Sequence, residues 1–560
     1  MLFRLVGKRL GVMGTAGAVA ALTLFGCQDQ VPVVGDGAGS SDPVVRGKVL
    51  YQGRRCINCH GADALGQSTF PGAPRIVGRS AADLQLVVRD ACPEPDVINN
   101  CHPVKMPDLT DHQLGDLAAY LASLAGSQLQ DAGPVPDDVP GHIATIAGNG
   151  VSGNQAGEGL PARQQFLYWP QNVALDPQGR VVITDWNNYM IRRIEHEGCS
   201  EITDDAGNVG MDCPVVNLVG TGALGDSCST AETPVAATDA KMNHPVGVLF
   251  DDFIPGQHNI ILWGWHQWKI KYIPVDAQGK TGQIRCLFGN ERGATGDDLP
   301  AGFNFDGNDG PTRFNLPSSC VYDNAGNFYI SDQGNLRIRV VRADGDDDNS
   351  SPEAFVRSRA NNIITTIAGG LLDELGNFRR TRPDYSDSGD GGLAAECTLN
   401  VQSGFDAVPQ MRLAIDRDRN LLYVADSENG RIRVIDLNLD PPVIDTFAGG
   451  GDDLAADRVP ATRAKLFRPA DVDVAPDGSG DLLVTDTFNH CVRLVDFETR
   501  VIHTVAGVCG SDKSGYEGDG GPASAARLSE PGGAAIAVDG TVYIADTLNH
   551  RVRRVNPQPQ

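Results

Sequence analysis

One short pattern constrains this chain more than anything else in it. It reads LLVTDTFNHCVRLV at 482–495 and VYIADTLNHRVRRV at 542–555, with LYVADSENGRIRVI at 422–435, FYISDQGNLRIRVV at 328–341 and VVITDWNNYMIRRI at 181–194. Each copy is two β-rich runs around a polar turn. Each sets an Asp, an Asn three residues on, and an Arg seven residues after the Asp: Asp185/Asn188/Arg192, Asp332/Asn335/Arg339, Asp426/Asn429/Arg433, Asp486/Asn489/Arg493 and Asp546/Asn549/Arg553. A residue type needed at one place in five units does the same local job in each. We therefore read the Asp and Asn as turn-closing groups and the Arg as a bridge to a neighbour, not as catalytic residues.

Upstream of each pair lies another β-rich run, such as VALDPQG or VDVAPDG, and downstream a further one, such as IITTIAGG or VIHTVAGV. Four strands per unit, separated by turn signals, describe the blade of a propeller. The motifs resemble NHL repeats over residues 142–556, and the resemblance implies an all-β six-bladed propeller. The sixth copy is NIILWGWHQWKIKYI at 259–273, in which Gly264, Gln267 and Lys271 stand where Asp, Asn and Arg are expected. HIATIAG at 142–148 looks like the last strand of a unit but precedes the first whole one. One blade is therefore expected to pair 143–147 with 551–555, closing the ring and leaving no free sheet edge.

The degenerate second copy holds Trp263, Trp265 and Trp268, and the first holds Trp169 and Trp186, so all five tryptophans fall in neighbouring blades. A site is most plausible where a repeat breaks its own rule. Trp263, Trp265, His266 and Trp268 either repack a blade that has lost its polar turn or form an apolar face on which a ligand or the chain's own front domain docks.

Ahead of the repeats, Cys56-Ile57-Asn58-Cys59-His60 has the spacing that attaches a c-type haem: two thiols on a helical turn for thioether bonds, and an adjacent imidazole for the iron. Downstream, Met106 precedes a helix legible from a Thr110/Gln113 capping box and the stripe Leu114, Leu117, Leu121, Leu124. His102 and His112 are rival ligands. Residues 44–125 resemble a small class I cytochrome c, an all-α domain. The resemblance implies one covalent haem c with His60 and Met106 as axial ligands, and Gly47 and Tyr51 on a first helix that crosses the last near Tyr120. The chain then reads as multidomain: a signal peptide at 1–27, a tether at 28–43, the cytochrome domain at 44–125, a Pro-rich linker at 126–141 and the propeller at 142–556.

The first 27 residues have a basic start, an apolar run and the ending Leu-Phe-Gly-Cys, an export signal that resembles a bacterial lipoprotein box with Cys27 as the lipidated residue. A periplasmic or outer-membrane-anchored protein is expected, attached by lipid only. Setting Cys27, Cys56 and Cys59 aside leaves ten of 13 cysteines, an even number that reads as disulfides in an exported chain. The local pairs are Cys92–Cys101, Cys199–Cys213 and Cys491–Cys509, while Cys228, Cys286, Cys320 and Cys397 have no assigned partners. No His/Cys group beyond the haem motif has zinc or copper spacing, and loops such as SDSGDGG are acidic enough for calcium without its ligand order.

The net charge of −25 falls wholly on residues 126–560, because 1–43 and 44–125 balance at 3 against 3 and 8 against 8. That excludes a nucleic-acid partner and favours cationic ones. Electron transfer to a redox partner protein, with the propeller as docking module, is the leading expectation. A dehydrogenase using pyrroloquinoline quinone (PQQ), with calcium, is the alternative. It rests on architecture alone, since no base or quinone-binding set is found in the sequence. A third reading has the propeller bind a protein or glycan while the haem senses redox state or a gas.

Overall fold

The computed structural model describes residues 139–557, apart from 154–158, 204–208, 230–232, 255, 291–298, 301–311, 370–388, 403–406 and 454–456. The haem motif, Met106, Cys27, Cys92 and Cys101 lie outside the described residues. The rest forms six antiparallel sheets of four or five strands, one per repeat. First strands run Pro170–Leu175, Pro245–Phe250, Pro317–Tyr322, Leu413–Asp416, Asp471–Val474 and Gly533–Ile536, in blades one to six. Each packs on the first strand of the next blade, and the last packs on Pro170–Leu175, so the ring closes.

Closure follows the predicted pairing. Ile143–Ala147 lies antiparallel to Arg551–Val555, with Ile143 opposite Val555 and Thr145 opposite Arg553, so the last blade takes its outer strand from the front of the propeller segment. In every blade the pairing of third and fourth strands slips at the signature cation or its partner strand: at Arg192, Lys271, Arg339, Arg433 and Arg493, and between Thr145 and Ala147 opposite Arg553. A bulge at that place re-aims one side chain and ends regular pairing. These long cations are accordingly buried.

Two left-handed residues also recur per blade. One lies just ahead of the first strand: Trp169, His244, Leu316, Met411, Arg468 and Glu530. The other ends the turn between strands two and three: Tyr189, Trp268, Leu336, Gly430, His490 and His550. Junctions bring the two together. His490 Nδ1 accepts from Glu530 N at 3.1 Å, and His550 Nδ1 from Trp169 N at 3.4 Å.

The acidic stretch ADGDDDNSS, between the third and fourth strands of blade three, leads into a helix, Pro352–Ala360, capped by Ser351 Oγ on Ala354 N at 3.2 Å. Its Phe355 stacks on Tyr272 at 4.7 Å and Phe253 at 5.3 Å, covering the join of blades two and three.

Candidate functional site

The repeated triplet is a buried latch. Asp185 takes Asn188 Nδ2 at 2.8 Å, Tyr168 N at 2.8 Å and Arg192 Nε at 3.1 Å, and Asp426 takes Asn429 Nδ2 at 2.8 Å, Asn400 N at 2.8 Å and Arg433 Nη1 at 3.3 Å. Asp332, Asp486 and Asp546 repeat the Asn and backbone contacts. All five carboxylates are fully buried. Burial pushes Asp486 and Asp546 up to about 6 although their arginines pull the other way. Arg192, Arg433 and Arg553 hold the Asp of their own blade.

A second carboxylate meets the same arginine from the loop between blades. Asp390 pairs with Arg433 and Arg431 and accepts Thr446 Oγ1 at 2.7 Å; Asp519 pairs with Arg553 and accepts Thr145 Oγ1 at 2.5 Å. Asp390 is the second aspartate of SDSGDGG, and it is taken up as a counter-ion. Both follow a Gly, as does Asp226 in blade two.

Asp226 explains how blade two folds with its signature replaced. Lys271 Nζ, fully buried, reaches Asp226 Oδ1 at 2.7 Å and Ser227 O at 3.0 Å, while Lys269 Nζ reaches Asp226 Oδ2 at 2.7 Å. Burial would raise this carboxyl, yet the two lysines hold it below its ordinary range. Gly264 leaves room for the longer Gln267: a Cβ there would stand 2.2 Å from Gln267 Oε1. Gln267 in turn donates to Gly225 O at 3.0 Å.

The tryptophans divide. Trp265 is fully buried against Trp186, with ring centres 6.1 Å apart, and Trp263 is buried over Gly247 with its Nε1 on Ser318 O at 2.8 Å, so both belong to the core joining blades one to three. His266 and Trp268 stay half-buried at the turn. A second histidine stands beside His266. His244, in the left-handed position ahead of the first strand, sets its Nδ1 3.2 Å from His266 Nδ1 and 2.6 Å from Asn243 Oδ1. Trp186 lies 4.9 Å and Tyr189 5.1 Å from the His244 ring. Burial, then the neighbouring His266, lowers His244 to about 3. Twenty-two residues separate the two histidines, a spacing that carried no signal in the sequence.

Cys199–Cys213 and Cys491–Cys509 are joined, as is Cys228–Cys286, which tethers a loop to the fourth strand of blade two. Cys320 and Cys397 are corrections to the even-number reading. They are buried thiols in separate core clusters, and burial lifts both, Cys397 to about 12. Among the described residues no three His, Cys, Asp or Glu side chains converge as a metal group, and no helix is long and apolar enough to cross a membrane. A cleft of about 900 Å³ opens at blades five and six, lined in part by Asp457, Asp477, Asp481, Asp539 and His503.

Residues 44–125 match the cytochrome c family. The chain is 30% identical over 157 residues to Protein SUPPRESSOR OF QUENCHING 1, chloroplastic, of Arabidopsis thaliana, and 32% identical over 165 residues to NHL repeat-containing protein 2 of Gallus gallus. These matches cover 26% and 27% of this chain but only 14% and 21% of those proteins. A solved structure of a protein of unknown function from Bacteroides thetaiotaomicron aligns with 74% of this chain and 75% of its own, at 14% identity and a TM-score of 0.43. The chain is thus a fusion of a cytochrome c domain with a six-bladed β-propeller of NHL-type repeats.

Proposed function

We propose that this is an exported electron-transfer protein whose front domain carries one haem c and whose propeller docks a redox partner protein. The match of residues 44–125 to the cytochrome c family is the observation that carries the reading. The donor set suits the group: Cys56 and Cys59 supply two thiols, His60 an imidazole nitrogen and Met106 a thioether sulfur. When bound, haem supplies a one-electron couple. Cys56 and Cys59 would hold it covalently, and His60 and Met106 would ligate its iron, the Met sulfur raising the potential. Three disulfides in the propeller support an oxidising compartment, with Cys27 as the lipid anchor.

The propeller's part rests on charge and on what its carboxylates already do. The five signature aspartates are consumed in latches, which leaves them unfit for acid–base work on a substrate. The surface is acidic, with four carboxylates lining the cleft at blades five and six, and so suits a basic partner.

The test is optical. The oxidised, haem-loaded chain is mixed with small basic and acidic redox proteins, and separately with sugars, alcohols and aldehydes, with and without added PQQ and calcium. Fast haem reduction by basic proteins that slows as salt rises supports docking. Substrate-dependent reduction would replace docking with a dehydrogenase. A haem-loaded Met106→Ala variant with an unchanged potential would remove Met106 from the iron.

A further inference from the structure

We propose that His244 and His266 form a transition-metal site at the junction of blades one and two, binding a divalent ion of the zinc or copper class. Two imidazole nitrogens on one tetrahedral ion, each 2.0–2.1 Å from it, stand about 3.3–3.4 Å apart. The Nδ1 atoms of His244 and His266 are 3.2 Å apart. Neighbouring backbone elements set that spacing. His244 is held in the left-handed residue ahead of the first strand of blade two, and His266 in the turn between its second and third strands. Trp265 N donates to His244 O at 2.8 Å, so the two elements are tied beside the ring pair. Both rings are half-buried, which leaves an approach for an ion and for water to complete its shell.

The other junctions set this one apart. His490 and His550 spend their Nδ1 atoms on the next blade's backbone N–H. At the first junction the turn residue is Tyr189, which meets His244 edge-on at 5.1 Å, and the His244 nitrogen turns to Asn243 and His266 instead. In the ion-free pair one Nδ1 proton is shared between acceptors. On binding, that proton moves to Nε2 of its own ring by way of solvent, and both Nδ1 lone pairs face the ion, with no change of oxidation state. Imidazole nitrogen with oxygen or water suits zinc and copper, and excludes calcium and magnesium.

Trp186, 4.9 Å from His244, and Trp265, 6.4 Å from His266, make the site its own reporter. The haem-loaded full chain is titrated with Cu2+ while tryptophan emission is followed. Quenching should saturate at one equivalent, and zinc should compete for the same site and raise the unfolding temperature. His266→Gln, which keeps a hydrogen-bonding group at the turn, and His244→Gln should each weaken the copper effect by about 100-fold, a loss at or above that for outer-shell partners. Unchanged emission of the copper-free variants shows that they are folded. Absent quenching at one equivalent, or quenching that survives both substitutions, would reduce the pair to a plain hydrogen bond and overturn the proposal.

Discussion

At the scale of single residues, the molecule shows what a buried charge requires of its neighbours. Arg433 and Arg553 are each held between the turn aspartate of their own blade and an aspartate that follows a Gly in the chain between blades. Blade two has discarded the first and kept the second, which is why Asp226 serves two lysines. Removing one member of a buried pair leaves an uncompensated charge and costs about 3–5 kcal/mol. Asp226→Asn strips Lys271 of its carboxylate partner, whereas Asp426→Asn leaves Arg433 with Asp390. We therefore expect Asp226→Asn to destabilise the chain by about 3–5 kcal/mol in denaturant unfolding, and Asp426→Asn by less. The reverse order would mean that the turn aspartate, and not the loop one, is the principal counter-ion.

At the scale of elements, the strands were legible because each blade alternates apolar and polar positions around a turn with a fixed polar signature. Ring closure was legible too, since IATIAG at 143–148 is a fourth strand displaced to the front. What escaped was anything set by contact across blades. Cys228 and Cys286 are 58 residues apart, and His244 and His266 sit on different connections. Pro352–Ala360 carries too few apolar residues to announce a helix, and gains its place from Phe355 and Val356 packing. Residues Trp263 and Trp265 read equally as core or surface in the sequence, and both are buried in the fold. The closure strand makes its own prediction. Thr145 gives Asp519 both its N–H, at 3.1 Å, and its hydroxyl, at 2.5 Å, beside the Arg553 pair. Thr145→Val keeps the shape and loses the hydroxyl, so it should cost about 1–3 kcal/mol. Hydrogen exchange at 551–555 should rise first, before that of 431–436 in blade four. Equal acceleration in both would show that blade six is no weaker a seam than the others.

At the scale of the whole propeller, its acid balance should make it most stable on the acid side of neutral. Among the described residues, carboxyls raised chiefly by burial include Asp251 and Asp473 at about 7 and Asp471, Asp486 and Asp546 at about 6. Unfolded, each titrates near 3.9. Between about pH 4 and pH 7 the folded chain therefore binds more protons than the unfolded one, so stability is greatest at the lower end and falls as pH rises. Repulsion among the acidic groups of a chain with net charge −25 adds to the same slope. Asp251 suits the test, because burial is the chief cause of its rise and the residue is 1% exposed. Asp251→Asn preserves shape and the backbone bond from Asp251 N to Asn259 O while removing the titration. Urea unfolding from pH 5 to pH 8 should show the substituted chain gaining on the parent as pH rises, on the order of 1–4 kcal/mol by pH 8. Parallel curves would mean that Asp251 is ionised in the folded protein throughout, and that the slope belongs to surface repulsion alone.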